Sequence, residues 1–137
     1  MGSTTGLPDV VVIAGISYVL ATTLVAGFQL ALALGAPWGE YAMGGAFLAR
    51  FPPAIRIAAL VQGVVLIALA VVVLSRAGLV APSFVRGLPW LAWLPVVISA
   101  VSVAMNAASR SPRERRLWVP VGMVLLASSL IVAQTAG

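Results

Sequence analysis

The sequence predicts an all-α fold: a four-transmembrane-helix bundle built from two helical hairpins. Three observations carry that expectation. Hydrophobic residues make up 62% of the 137-residue chain and charged residues only 8%, whereas a soluble domain carries about 25% charge. Four apolar stretches approach the roughly 20 residues that cross a hydrocarbon core. The charges gather between those stretches rather than inside them. A chain this poor in polar surface needs lipid as its main solvent, and its length suits a single integral membrane domain over 1–137.

The first predicted span is Val10–Leu34, which contains no charge. It is expected to be retained rather than cleaved as a signal peptide. Met1–Pro8 has no basic residue, and the apolar run exceeds the usual h-region, although Ala31-Leu32-Ala33 carries a weak cleavage-like pattern. Gly35-Ala36-Pro37 supplies a stop. The second span, Ala54–Leu74, has one charge, Arg56, near its start, and Pro52-Pro53 suit a helix N-terminus, where the first N–H groups lack partners anyway. The third, Trp90–Ala108, follows Pro82, Gly87 and Pro89 and contains Pro95. The fourth, Leu117–Ala133, contains Pro120. Ahead of it, Ser111-Pro112-Arg113-Glu114 reads as a capping box, so this helix is expected to begin before its apolar part.

Arg placement predicts orientation. The 1–2 and 3–4 connections and their flanks hold Arg50, Arg56, Arg110, Arg113, Arg115 and Arg116; the opposite side holds Arg76 and Arg86. The positive-inside bias then puts loops 35–53 and 109–116 in the cytoplasm and both termini outside the cell membrane. Trp38, Tyr41 and Trp118 fall near one expected interface, Trp90 and Trp93 near the other, as amphipathic rings prefer.

Several chemistries are excluded. With no Cys and no His, the chain cannot form disulfides, Cys-ligated clusters, thiolate or imidazole zinc sites, or His-ligated haem. No metal or cofactor is expected, and no catalytic residue is assigned. The basic residues lack the aromatic interleaving of a nucleic-acid surface; anionic lipid headgroups suit them better. The expected partners are therefore the bilayer, anionic lipids, and a homo-oligomer or larger membrane complex.

The candidate binding set is Gln29, Glu40, Arg50, Arg56, Gln62 and Asn106. At 1.5 Å per residue, Gln29 lies about 7 Å inside helix 1 and Gln62 about 12 Å inside helix 2. Asn106 is in the last turn of helix 3. Facing the axis, these groups would form a polar vestibule at the Arg-rich end, with Arg56 holding an anion. The alternative is interhelical glue, with amides bonding across helices at about 0.6–2 kcal/mol each and Arg56 snorkelling to the interface. Either way, polarity is expected near the Arg-rich end and apolar helix ends opposite.

Three further features stand out. Ala36–Gly45, APWGEYAMGG, reads as an interfacial turn anchored by Trp38 and Tyr41, or as a re-entrant loop. At the 3–4 tip, Arg110, Arg113, Arg115 and Arg116 are expected to touch lipid headgroups, each worth about 1 kcal/mol near an anionic leaflet, or to dock a cytoplasmic partner. Small-residue stripes, Gly27/Ala31/Gly35 and Ala100/Ala104/Ala108, suit close helix packing in the bundle or a homodimer face. Arg56, Gly63 and Ala77-Gly78 also echo Arg115, Gly122 and Ala136-Gly137 at one offset, which a parallel hairpin repeat or chance in apolar sequence would produce.

APWGEYAMGG, the RFPP–IR start of the second span and the basic ER-R-W entry to the fourth resemble small four-helix membrane proteins of bacteria. That resemblance covers most of the chain and implies no activity. Small multidrug-resistance transporters share the helix count, but their hallmark is a Glu within helix 1; Val10–Leu34 has no acid. The composition thus implies a non-enzymatic accessory or lipid-facing binding component, with an oligomeric transporter or channel as the alternative and a lipid-headgroup enzyme third.

Overall fold

The computed structural model is all-helical among its described residues, which are 2–42, 45–47, 49–80 and 88–135. Side chains are described for 9–39, 41–42, 45–47, 49–80 and 88–134. Helix α1 spans Gly2–Ala33, α2 Pro53–Arg76, α3 Trp93–Ala107 and α4 Pro112–Thr135. A 3₁₀ turn, Gly39–Tyr41, lies between α1 and α2, and another, Pro89–Ala92, leads into α3. With the Pro89–Ala92 turn counted as part of the third span, all four helices are long and apolar enough to cross a membrane.

Local chemistry sets the helix ends. Gly35 has φ 97°, which only glycine adopts without strain. Around it, Ala36 N–H donates to Ala31 O and Gly35 N–H to Leu32 O, the reciprocal pair of a Schellman cap. Gly78, at φ 81°, closes α2 the same way, with Leu79 N–H donating to Leu74 O and Gly78 N–H to Ser75 O. The serine half of the expected capping box forms at α4: the Glu114 N–H donates to Ser111 Oγ at 3.2 Å, while the Ser111 N–H donates to Ser109 Oγ at 3.1 Å. Helix α4 accordingly starts at Pro112, five residues ahead of the apolar stretch.

The two hairpins, α1–α2 and α3–α4, are each tightly packed, and α1 also packs along α4. Helices α2 and α3 barely touch. The bundle is therefore a ring with one open side. Its main core joins Val11, Ala14 and Tyr18 of α1 to Val73 of α2 and to Leu125 and Val132 of α4. A smaller cluster of Leu32, Phe51 and Ala59 lies at the Arg-rich end. The outside is apolar, with Ile13, Leu20, Ile57, Val64 and Met105 all exposed, as a lipid-facing surface requires. In such a solvent, van der Waals packing does the work that hydrophobic burial does in water.

The points of closest approach differ from those expected. Ala100, Ala104 and Ala108 are all exposed, so this stripe packs nothing inside the bundle. Gly27 is also exposed, and a Cβ there would meet nothing within 4 Å. Among the helical glycines the close contacts fall instead at Gly15, where a Cβ would lie 3.1 Å from Leu79 Cδ1, and at Gly122, where it would lie 2.9 Å from Val103 Cγ2. Spacing reveals a small face, but not its direction.

The expected one-sided polarity also needs correction. Away from the Arg-rich end, Tyr18, Thr22, Ser75, Ser99, Ser128 and Ser129 are buried. The Tyr18 side chain hydrogen-bonds to Ser99 across helices. Ser128 and Ser129 turn their hydroxyls back onto carbonyls of their own helix, Val124 and Leu125 among them. A hydroxyl satisfied this way enters a span without a polar signature.

Candidate functional site

The open side of the ring forms a groove of about 470 Å³ at the Arg-rich end, within the usual range for small-molecule sites. Every helix contributes at regular spacing. From α4 come Glu114, Trp118, Val121, Gly122 and Leu125; from α3, Ser102, Met105 and Asn106; from α2, Ile55, Ala58, Ala59, Gln62 and Leu66; from α1, Val25, Phe28 and Gln29. Spacings of three and four put each set on one face of its helix. Tyr41, Ala42 and Phe51 of the first connection and Ser109 of the second close the Arg-rich end.

Gln29, Gln62 and Asn106 all line this groove. Gln29 and Asn106 are half-buried, and Gln62 is exposed at the wall. Among the described residues, no hydrogen bond reaches any of the three side-chain amides. The glue reading therefore lacks the cross-helix bonds it needs. An amide without a partner in hydrocarbon costs several kcal/mol, so such groups seek water, ligand or protein.

The arginines lie elsewhere. Arg56 donates from Nε to Ala33 O at 3.0 Å, and its guanidinium covers Gly35, where a Cβ would stand 3.1 Å from Nη2. It caps the carbonyl end of α1, where cations are favoured, and is not on the groove lining. Arg50 is exposed and also off the lining. The Glu40 backbone belongs to the 3₁₀ turn; its side chain lies outside the described residues. At the 3–4 tip, Arg110, Arg113, Arg115 and Arg116 are exposed, and Arg115 donates to Ser109 O.

Glu114 and the aromatic residues complete the site. Glu114 is only 6% exposed; the sequence reading gave it only a capping role. Trp118 Nε1–H donates to Tyr41 O at 2.7 Å, tying α4 to the first connection. Phe28 stacks with Trp38 at 6.3 Å and meets Trp118 at a tilted 4.7 Å. The i, i+4 pair Glu114/Trp118 continues to Gly122, a signal that was available. Gly39 holds this corner together: its N–H donates to Ala49 O at 2.8 Å, and the Phe47 and Ala49 carbonyls crowd the place of a Cβ.

Among the described residues, no group of three His, Cys, Asp or Glu could hold a metal ion. No protein-family model, curated protein or solved structure matches the chain.

Proposed function

We propose that this chain is a non-enzymatic, lipid-facing binding component of a membrane that holds one amphipathic molecule in the groove between α2 and α3. The carrying observation is the trio of amides, Gln29, Gln62 and Asn106, which line one groove and have no hydrogen-bond partner among the described residues. The groove opens sideways between two helices, so a molecule dissolved in the bilayer can enter without crossing water. Val25, Leu66 and Leu125 suit a tail; the amides and the Arg-rich end suit a polar head.

The reading extends to orientation. The Arg distribution supports a cytoplasmic position in a bacterial plasma membrane for the groove's polar end. An active C-terminal alkaline phosphatase fusion, with a dark C-terminal fluorescent fusion, supports that; the reverse pair overturns it.

Native mass spectrometry of the purified chain tests binding. A retained lipid-sized adduct is expected, lost in Asn106→Leu and in Gln62→Leu while the melting temperature stays within a few degrees. Adduct unchanged in both variants, or unfolding of both, sinks the proposal.

A further inference from the structure

The groove reading leaves open the chemistry of the head it takes. Glu114 is the one charged residue on the described lining, and it already has an interaction partner. Arg56 is turned onto Ala33 O, and Arg50 is exposed and off the lining. A charged head would therefore enter the groove with no free counter-charge among the described lining residues. Burying a charge without a partner is strongly disfavoured. The anion that the sequence assigned to Arg56 has no cation to meet on this lining.

What the lining offers is neutral. Gln29, Gln62 and Asn106 bring primary amides from α1, α2 and α3, each with N–H donors and a carbonyl acceptor. Gln29 stands beside the start of this α2 face: a Cβ at Gly63, next to Gln62, would lie 3.7 Å from Gln29 Cβ. Ser102, one turn from Asn106 on α3, and Tyr41 share the lining, and a hydroxyl both donates and accepts. Among the described residues, no hydrogen bond reaches any of these side chains. The Phe28 and Trp118 rings, 4.7 Å apart and tilted by 59°, line the same end. Their negative faces suit C–H bonds made positive by a neighbouring oxygen. A phosphate ester chiefly accepts hydrogen bonds and a quaternary ammonium makes none. A pair of adjacent hydroxyls matches both halves of an amide and carries no charge.

Resting on the groove reading, we propose that the Arg-rich end of the groove binds an uncharged polyol head on an apolar tail, held by the amides of Gln29, Gln62 and Asn106. The hydroxyls can belong to the glycerol of an acylglycerol or to the sugar of a glycolipid; both present the same donor–acceptor pairs to the amides.

The test uses the full chain in micelles of a polyoxyethylene detergent, whose head carries ether oxygens in place of adjacent hydroxyls. It is titrated calorimetrically with probes of one tail length, each corrected for its heat of entering protein-free micelles. The probes are monolauroylglycerol, dodecyl glucoside, methyl laurate, dodecyl phosphate and dodecyltrimethylammonium. At least one polyol is expected to bind saturably and about 5- to 30-fold tighter than methyl laurate, the range of one or two neutral hydrogen bonds. Neither charged probe is expected to exceed methyl laurate. Asn106→Leu is expected to remove most of the polyol advantage and Gln62→Leu, at the exposed wall, to reduce it; if Asn106→Leu does not fold, Gln62→Leu decides alone. Amide-dependent binding of monolauroylglycerol alone identifies an acylglycerol, and of dodecyl glucoside alone a glycolipid. The same behaviour from both identifies a site that reads the hydroxyl pair whatever carries it.

A charged probe binding as tightly as the better polyol overturns the proposal. So does a polyol advantage that survives the substitutions. The two levels fail differently. If all probes bind saturably and alike, the groove stands and the polyol head falls. If no probe binds saturably, the groove reading itself falls.

Discussion

Replacing Gly39 by alanine adds one methyl group at the most crowded backbone crossing described here. A Cβ on Gly39 would overlap the Phe47 carbonyl oxygen and lie 2.6 Å from the Ala49 carbonyl oxygen. Cβ atoms essentially never approach another heavy atom within 3.0 Å, so the Ala49 oxygen must retreat by about 0.4 Å and the Phe47 oxygen further. Both obstacles are backbone, so no rotamer change relieves them. The retreat stretches the 2.8 Å bond from Gly39 N–H to Ala49 O. Losing that bond costs about 0.5–1.5 kcal/mol and the crowding about 1–3 kcal/mol, so Gly39→Ala is expected to destabilise the fold by about 1.5–4.5 kcal/mol. Reversible unfolding in mixed micelles, followed by helical circular dichroism, measures this. Gly27→Ala is the control: its Cβ would enter open space, and alanine is favoured in a helix interior by up to about 1 kcal/mol. A Gly39→Ala protein within 0.5 kcal/mol of the parent would refute the steric argument.

The same assay reaches other contacts. Arg56→Ala removes both a hydrogen bond and a cation from the carbonyl end of α1; a loss of about 1–2 kcal/mol is expected, with no change in groove binding. Ser111→Ala should cost about 1 kcal/mol, and Ser111→Asn should restore it, because either side chain can accept the Glu114 N–H. Trp118→Phe keeps a ring but deletes the donor to Tyr41 O, for a loss of about 1 kcal/mol. Gly122→Val should be less stable than Gly63→Ala, since a Cβ at Gly122 already meets Val103 at 2.9 Å and one at Gly63 meets Gln29 at 3.7 Å.

The helices were legible because their signals are local. Apolar length, Gly35, Pro53 and the Ser111–Glu114 box each act within a turn or two. The floor of the groove was partly legible for a related reason: Gln29, Gln62 and Asn106 are conspicuous in apolar spans, and lipid leaves them few partners. Arg56 was misplaced because a long side chain reaches over a turn, and sequence does not reveal that Ala33 O lies within that reach. Glu114 was hidden by its own helix, where its expected part in the cap left its place on the groove lining unread. The alanine stripe failed for a tertiary reason, since facing lipid and facing a neighbouring helix demand the same small residues.

Three closed seams and one open one also make the bundle mechanical. The hairpins behave as two leaves bound along a spine, α1 against α4, with the Trp118–Tyr41 bond as a stitch near one end of the spine. A slight swing about that spine leaves each hairpin's internal packing untouched, yet it changes the α2–α3 gap across its full width. That swing does strain the main core, which joins Val73 of α2 to Leu125 and Val132 of α4, so the contacts that hold the fold also set the width of the gap.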